Sequence, residues 1–449
     1  MRKETGKTIF GLCLVFCLTV ALLLGVLLLS TRIPREAIAP QMRTSAEYLC
    51  EHPLFGEAAE GVGSTKIDHY ADAILLGIVW QMDGSTAFRS AMEASYYHLP
   101  YQNENENLRD AVEKDLPANQ QYLRYWHGSA AFVRVLMSFL TLPQIYIWHG
   151  ILLGGLLLAL LLRLLLRRDW VLAIGIAVGC VGSSLWLVPR SLEYTWVYLI
   201  LLVQLHIVIS PRFPRDWKKR LVFFLVSGMV TNYLDFLTCE TLTLLVPLLV
   251  LLWRDHAWPA RETESGRQKS PMPAHRPSNK EEKNAPWKAL LGTAAVWLLG
   301  YAGMFLVKWL LAGIALGTSP LPYVLEHIEE RTIGAGQVGF LAEFLLAIPR
   351  NFRSLFPLDY GIMGLILGLA AIVLLFYLGY VYHSKGFDGG LATRLLVVGL
   401  IPYLRYLGLA NHSYIHYFFT YRAQMATLLA AVLLVGELTG WSVGKGDSI

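Results

Sequence analysis

The chain has 449 residues, of which 55% are hydrophobic and 16% are charged, whereas a soluble globular protein carries about 25% charged residues. This composition argues against a soluble enzyme, and the abundance of apolar residues also argues against intrinsic disorder. The formal net charge of +5 has to be divided between the two sides of a membrane before it indicates a binding partner.

Apolar segments of membrane-spanning length recur along the chain, and a helix needs about 20 apolar residues to cross the hydrocarbon core. We therefore predict an all-α polytopic membrane protein with about ten transmembrane helices. The predicted spans are Ile9 to Ser30, Leu142 to Leu166, Trp170 to Val188, Leu192 to Ser210, Leu221 to Thr238, Thr241 to Trp253, Ala289 to Gly317, Tyr360 to Tyr382, Leu395 to Ala410, and Ala423 to Trp441.

These spans divide the chain into five regions. The first span carries no small-x-small cleavage site and is predicted to stay as an anchor. The regions are the N-terminal anchor (1–30), a large extracytoplasmic loop with surface helices (31–141), spans two to six (142–253), a flexible cytoplasmic loop rich in Pro, Ser and charge (254–288), and spans seven to ten with their outer loops (289–449).

Basic residues concentrate in every second loop, as the run from Arg212 to Arg220 illustrates. Because Lys and Arg are enriched in short cytoplasmic loops, this alternation predicts that both termini are cytoplasmic and that 31–141 lies outside. Three stretches are predicted to form helices on or near the outer membrane surface: Tyr70 to Trp80, Ser129 to Leu142, and Gly339 to Ile348.

The first polar cluster, Lys66 to Ala73, contains Asp68 and Asp72. Residues four apart share one face of a helix, so the two carboxylates are suited to hold a divalent cation or to supply a general base. The alternative is structural, with Asp68 as a helix N-cap and Asp72 as a solvated residue of the first turn.

The second cluster, Tyr122 to Gly128, places Arg124 and His127 among aromatic side chains. Guanidinium groups suit phosphate because they offer a planar pair of donors. Aromatic residues at a membrane interface are also common as plain anchors, and the sequence leaves both interpretations open.

The third cluster, Thr231 to Thr241, straddles the fifth and sixth predicted spans and contains Asp235 and Glu240. Carboxylates in a short apolar hairpin are costly unless they pair, bind something or reach water. We predict a binding role for Asp235, with a solvated hairpin tip as the alternative.

The fourth cluster, Asn411 to Arg422, opens the tenth predicted span. His412 and His416 have one-face spacing suited to metal, phosphate or proton transfer, and Arg422 would lie at the inner edge of an outer cavity. An aromatic belt with incidental histidines is the alternative. No third strong ligand stands nearby, so zinc is not expected, and no phosphate-binding loop indicates a nucleotide cofactor.

Three further charges need partners within or beside the apolar spans. Lys308 lies inside the seventh span and is expected to extend towards the outer surface. Arg190 and Glu193, at an outer hairpin, are expected to pair with each other.

The anchor helix, the large outer loop with early acidic residues, and the basic and histidine groups on the outer side resemble the GT-C superfamily of polytopic membrane glycosyltransferases. The four clusters look like those of uncharacterised bacterial proteins placed near that superfamily. The resemblance implies an enzyme of the bacterial plasma membrane that transfers a sugar from a polyprenyl-phosphate or polyprenyl-pyrophosphate donor to a glycan, lipid or protein acceptor. No nucleic acid is implied, and membrane lipids surround the chain.

The resemblance also implies roles for particular residues on the extracytoplasmic side. Asp68 or Asp72 would be the catalytic carboxylate, and Arg124, His127, His412, His416 and Arg422 would contact the phosphate leaving group. Apart from the resemblance, the residues themselves predict that Asp235 binds substrate or phosphate and that Asp68 and Asp72 could hold Mg²⁺ or Mn²⁺.

Two other functions stay open at the level of sequence. One is a transporter or flippase for a lipid-linked saccharide, which would use ionisable or polar groups near the bilayer midplane, here Gln204, His206 and Lys308. The other is a noncatalytic partner in polysaccharide assembly.

Overall fold

The structure is a computed structural model that describes residues 2–264, 280–332, 334, 339–360, 362–381 and 387–440. Within these ranges the chain is almost entirely helical, apart from an antiparallel hairpin of β1 (Phe55–Glu57) and β2 (Lys66–Asp68). The predicted all-α class is confirmed. The helices are α1 (Arg2–Ser30), α2 (Arg35–Cys50), α3 (His69–Gln81), α4 (Ala87–Glu93), α5 (Glu104–Glu113), α6 (Ser129–Leu136), α7 (Leu142–Leu166), α8 (Trp170–Gly182), α9 (Leu192–Val208), α10 (Trp217–Leu234), α11 (Leu242–Glu264), α12 (Lys280–Leu316), α13 (Leu321–Thr332), α14 (Phe340–Arg353), α15 (Met363–Val381), α16 (Gly389–Gly408), α17 (Ala410–Ile415), α18 (Tyr417–Thr420) and α19 (Met425–Leu438).

Among the described residues, six helical stretches are long and apolar enough to cross a membrane, as expected for a multi-pass membrane protein. Each coincides with a predicted span. The stretches are Gly6–Ser30, Leu142–Leu166, Pro286–Leu316, Met363–Val381, Gly389–Gly408 and Tyr417–Leu438.

The other four predicted spans correspond to α8, α9, α10 and α11, which are not among those six. The span predicted from Trp170 to Val188 is interrupted, because α8 ends at Gly182 and Ser184 adopts a positive φ of 54° before a short 3-10 helix. A total of ten transmembrane helices therefore stays a prediction.

Glycine lets two of the central helices approach closely. A Cβ atom added at Gly228 of α10 would collide with the backbone of α12, and one added at Gly300 of α12 would collide with the backbone of α10. Small residues at such contacts bring helix backbones together and increase their van der Waals contact. Tight packing of α10 on α12 carries the third cluster to its position at the end of the bundle.

Polar contacts join the helices at the end that the predicted topology places inside. Asp169 accepts hydrogen bonds from the indole N–H groups of Trp253 at 3.2 Å and Trp258 at 2.8 Å. Arg220 at the start of α10 pairs with Asp255 of α11 at 2.6 Å. The basic loops of the sequence analysis therefore meet at one end of the bundle.

The segment 31–141 folds into a helical layer over the opposite end of the bundle. We call it the outer layer, after the side on which the predicted topology places it. Its central helix, α3, is almost wholly buried among α2, α5 and α6. The helix predicted from Tyr70 to Trp80 is therefore present, but it is a core helix of this layer and not an exposed one. The apolar residues of α3 form the centre of the hydrophobic core of this layer. By contrast, α6 and α14 each present exposed apolar side chains, such as Phe132 and Leu345, as surface helices do.

Both ends of the predicted cytoplasmic loop 254–288 are helical. Helix α11 continues to Glu264 and α12 begins at Lys280. The remainder of that prediction, residues 265–279, lies outside the described residues.

Lys308 on α12 is fully buried, and its ammonium does not reach water. Its Nζ donates to the carbonyl oxygens of Met92 at 2.7 Å and Ala91 at 3.4 Å, in the last turn of α4. A cation there complements the negative end of the helix dipole. The expectation of a solvated Lys308 is wrong, because the outer layer supplies partners that the sequence does not reveal.

Candidate functional site

The four polar clusters meet at the end of the bundle that carries the outer layer. Nε2 of His412 lies 2.9 Å from the carbonyl oxygen of Leu237, which joins the fourth cluster to the third. The backbone N–H of Gly128, in the second cluster, donates to the carbonyl oxygen of Tyr233, in the third cluster, at 2.9 Å. The ammonium of Lys66 lies 5.6 Å from the ring of Phe418, which brings the first cluster beside the fourth.

Asp68 is buried where β2 ends and α3 begins. One carboxylate oxygen accepts the backbone N–H of Ala71 at 2.9 Å, so Asp68 is the N-cap of α3. Its carboxyl group also lies within hydrogen-bonding reach of Glu193, at the first turn of α9. Burial raises the pKa of Asp68 to about 7, so the group exchanges its proton near neutral pH.

Asp72 is fully buried and anchors α9 to the outer layer, which differs from the solvated alternative. Its Oδ1 accepts the N–H of Leu192 at 2.8 Å and the hydroxyl of Ser191 at 3.3 Å, and its Oδ2 accepts the hydroxyl of Tyr146. Burial raises the pKa of Asp72 to about 8. With both oxygens engaged, Asp72 is placed to hold helices together.

Glu193 is buried beside Asp68, whereas Arg190 is exposed. The expected Arg190–Glu193 pair is therefore wrong. Two carboxyl groups within hydrogen-bonding reach share a proton, because two adjacent buried negative charges repel strongly. Asp68 and Glu193 thus form a carboxyl pair, which we call the acid pair.

Asp235 closes the hairpin between α10 and α11. Its carboxylate accepts the backbone N–H of Leu237 at 2.8 Å, and it also accepts the backbone N–H and hydroxyl of Thr238. Leu237 has a positive φ of 68°. Asp235 is 2% exposed and Glu240 is 5% exposed, so the alternative of a solvated hairpin tip is wrong.

Glu240 forms a buried ion pair that the sequence analysis did not foresee. Its carboxylate oxygens accept from Nε and Nη2 of Arg405 on α16, each at 2.9 Å. Nη2 of Arg405 also donates to the carbonyl of Leu237 at 2.9 Å. This two-point contact ties the hairpin to α16 and fixes the carbonyl that His412 contacts.

His412 and His416 lie side by side on one face, as their spacing predicted, with ring centroids 4.8 Å apart. Burial holds the pKa of His412 well below its usual range and lowers that of His416 to about 4, and the nearby charge of Arg331 acts in the same direction. Both rings are therefore neutral at pH 7, so they can offer hydrogen bonds to a phosphate but no positive charge.

Positive charge next to these histidines comes from two arginines. Nη1 of Arg124 lies 3.1 Å from Nδ1 of His327. The same Arg124 nitrogen lies 4.0 Å from Oε2 of Glu330. Arg331 is 3.9 Å from the same Glu330 oxygen. Two guanidinium groups thus share one half-exposed carboxylate within 4.0 Å, among the residues that the structure describes.

His127 adopts a left-handed backbone conformation, with φ of 52°. Its ring is buried between Tyr122 and Phe236, at centroid distances of 4.6 and 5.1 Å. Burial, together with the charges of Lys308 and Arg124, holds the pKa of His127 well below its usual range. A non-glycine residue in this conformation is strained, and such strain is concentrated at functional sites.

Arg422, the last residue of the fourth cluster, is fully buried. Its guanidinium carbon lies 4.4 Å from the ring of Tyr194, and Nη1 donates to the carbonyl of Phe418 at 2.7 Å. Nε and Nη2 have no hydrogen-bond partner among the described residues. A buried charge left without a counter-charge is costly, so an anion or water would be expected to complete this site.

Asp68 and Asp72 are poorly arranged to bind the predicted divalent cation. Both Asp72 oxygens accept hydrogen bonds from protein groups, and Asp68 already caps α3 and faces Glu193. Within the described ranges, no group of three His, Cys, Asp or Glu side chains is arranged to hold a metal ion. Mg²⁺ or Mn²⁺ stays a prediction.

Glu193, Arg331 and Arg405 were missed as members of the site by sequence reasoning. Glu193 and Arg405 lie inside apolar runs, where an isolated charge signals a polar contact in the folded bundle. That signal was available, but it does not identify the partner. Arg331 lies in an acidic segment and gives no comparable signal.

The chain was compared with protein-family models, curated proteins and solved structures, and none of them matches.

Proposed function

We propose that this chain is a multi-pass membrane glycosyltransferase of the GT-C type. It would move a sugar from a polyprenyl-phosphate-linked donor to a glycan, lipid or protein acceptor, for synthesis of cell-envelope glycan. The proposal includes ten transmembrane helices, cytoplasmic termini, and a site on the outer face of the bacterial plasma membrane.

The observation that carries the proposal is a titrating acid near a buried cation that lacks a counter-charge. Asp68, with its pKa near neutral, pairs with Glu193. Arg422 packs on the ring of the same Tyr194 at 4.4 Å, and Tyr194 lies within electrostatic range of Asp68, Glu193 and Arg422. A proton acceptor and an anion-binding group are the two functions that this transfer requires.

In the proposed reaction the acceptor hydroxyl attacks the anomeric carbon of the donor sugar. A new carbon–oxygen bond forms as the bond from that carbon to the phosphate oxygen breaks, and the bonding electrons leave with the phosphate. Asp68 takes the proton of the hydroxyl. Arg422, Arg124 and Arg331 would stabilise the negative charge of the leaving phosphate, and the neutral His412 and His416 would donate or accept hydrogen bonds at its oxygens.

Asp68 is a better candidate for the base than Asp72. The oxygens of Asp72 are occupied by Tyr146, Ser191 and Leu192, so in the proposal it positions α9 and, through it, Glu193. No step of the proposal is routed through a metal ion.

The transporter alternative gains no support from the polar groups near the middle of the bundle. Gln204 donates to Ser227 at 2.5 Å, and His206 lies 3.0 Å from the carbonyl of Leu156. Lys308 binds the end of α4. Each of the three side chains has a hydrogen-bond partner in the protein. A transport pathway needs polar groups that face a cavity.

The test is transfer by the purified full chain in proteoliposomes. The donors are polyprenyl monophosphates and pyrophosphates that carry radiolabelled sugars, and the acceptors are extracted envelope glycans, lipids and proteins. We expect transfer by the native chain and a loss of about a hundredfold or more in Asp68→Asn, since general-base catalysis contributes at least that much.

Glu113→Gln is the matched control, because Glu113 is an exposed carboxylate of the same outer layer and does not line a groove near the candidate site. It should transfer at the native rate. Equal rates in Asp68→Asn and the native chain would overturn the assignment of the base, and absence of transfer from every donor would overturn the enzyme proposal.

A further inference from the structure

A large open groove crosses the outer layer, and Leu123 of the second cluster contributes to its lining. Its volume is about 840 Å³, within the range of about 300–1,000 Å³ typical of ligand sites. Its lining includes the side chains of Gln81, Arg89, Asn119, Gln120, Gln121 and Tyr323.

The charges along the groove balance, and each of its two arginines is paired with a carboxylate. Arg35 contacts Asp115 at 2.5 Å, and Arg89 contacts Glu93 at 2.7 Å. The carboxylate of Asp83 accepts from the N–H of its neighbour Ser85 at 2.8 Å. Because positive and negative groups balance, the groove offers no concentration of one sign that would select a phosphate or another ionic ligand.

The groove is rich in amide side chains, which donate and accept hydrogen bonds without charge. Gln120 is exposed and Gln121 is half-buried. The backbone of Gln120 is held against Tyr96, with N–O distances of 2.9 and 3.0 Å. The side chain of Asn119 is held by the backbone of His98 at 2.8 and 2.9 Å. Gln120 therefore extends from a fixed backbone, and Gln121 follows it directly in the chain.

One end of the groove reaches the candidate site. Tyr323 lines the groove, and its ring centroid is 4.4 Å from that of His327. His327 in turn lies 3.1 Å from Arg124 of the second cluster. A ligand held along the groove would have one end directed towards the arginines of that site.

We infer that this groove binds an uncharged oligosaccharide. Sugar hydroxyls each donate and accept a hydrogen bond, so they match amide side chains, and the apolar face of a sugar ring suits an aromatic side chain such as Tyr323. A neutral polar groove with balanced charges fits this chemistry better than it fits a charged peptide. The role of the oligosaccharide as the acceptor rests on the proposed function, whereas its binding does not.

The test is equilibrium binding to the full chain in detergent, without any lipid-linked donor. The probes are fluorescently labelled, uncharged hexose tetrasaccharides of several linkages. We expect at least one to bind, and we expect Gln121→Ala and Tyr323→Ala each to weaken that binding about tenfold, which corresponds to about 1.4 kcal/mol.

Tyr101→Ala is the matched control for the aromatic residue, since Tyr101 is 80% exposed and does not line the groove. It should bind like the native chain, and Asp68→Asn should do so as well. Binding that survives in Asp68→Asn while transfer is lost supports the groove and the proposed function separately.

Three outcomes would overturn the inference. One is that no tetrasaccharide binds. Another is that binding is indifferent to Gln121→Ala and Tyr323→Ala. The third is that a labelled neutral peptide, used as a competitor, binds in the groove in place of the sugars. Binding of a tetrasaccharide in a chain that shows no transfer from any donor would support the groove and contradict the proposed function alone.

Discussion

Asp68 and Asp72 are one helical turn apart, yet their surroundings give them different capacities. Asp72 receives hydrogen bonds from the start of α9 and from Tyr146, so its replacement would loosen the outer layer. Asp68 has a buried carboxyl neighbour, Glu193, and burial raises the pKa of Asp68 to about 7. Partner identity, rather than helical spacing, separates the structural carboxyl from the candidate base.

The pH dependence of transfer should follow the titration of Asp68. The base acts only when deprotonated, and burial raises its pKa to about 7. Initial rates should therefore rise about tenfold per pH unit below that value and level off above it. A rate that is already constant from about pH 5, where an ordinary aspartate has lost its proton, would contradict this assignment.

At the scale of elements, the ion pair of Glu240 with Arg405 joins the hairpin of α10 and α11 to α16. Both side chains are 6% exposed, and both guanidinium–carboxylate contacts measure 2.9 Å. A buried pair of this kind adds little stability over an apolar pair, but loss of one partner leaves a charge stranded. The hairpin therefore depends on both residues together.

We expect Glu240→Gln to lower the free energy of unfolding by about 3–5 kcal/mol, because Arg405 would remain buried without its carboxylate. Glu240→Met combined with Arg405→Met should recover most of that loss. Thermal unfolding in detergent measures both.

The control is Lys114→Ala, which breaks the pair of Lys114 with Asp110 at the protein surface, where the Lys114 side chain is 59% exposed. Exposed pairs contribute about 1 kcal/mol or less. If Glu240→Gln changes stability as little as Lys114→Ala does, the buried ion pair does not hold the hairpin.

At the scale of the whole molecule, the polar residues separate to the two ends of an apolar bundle. Asp169 and Arg220 make their contacts at one end, and Asp68, Arg405 and Arg422 make theirs at the other. The proposed ten-span topology predicts such a separation, because its connections alternate between the two sides of the membrane.

We expect a cysteine introduced at Glu60 to react with a membrane-impermeant thiol reagent added to intact cells. A cysteine at Lys219 should react only after the membrane is permeabilised. Both positions are exposed, so access depends on the side of the membrane. Both cysteines are introduced into a variant in which serine replaces Cys13 and Cys17, because these two native cysteines are exposed on α1. Equal labelling of the two positions in intact cells would contradict the topology.

The sequence by itself determined the helical class, six of the membrane-crossing stretches and the one-face pairing of His412 with His416. These features depend on local composition and spacing, because a run of apolar residues and a four-residue period act within a single helix.

Only the tertiary structure decided which charges are partners. Lys308 binds the end of α4, Arg405 binds Glu240, and Glu193 lies beside Asp68, and each contact joins segments far apart in sequence. A buried charge signals that a partner is needed, but the identity of the partner depends on how the helices pack. The position of the candidate site was therefore readable from polar residues in apolar surroundings, whereas its acid pair and its buried guanidinium required the fold.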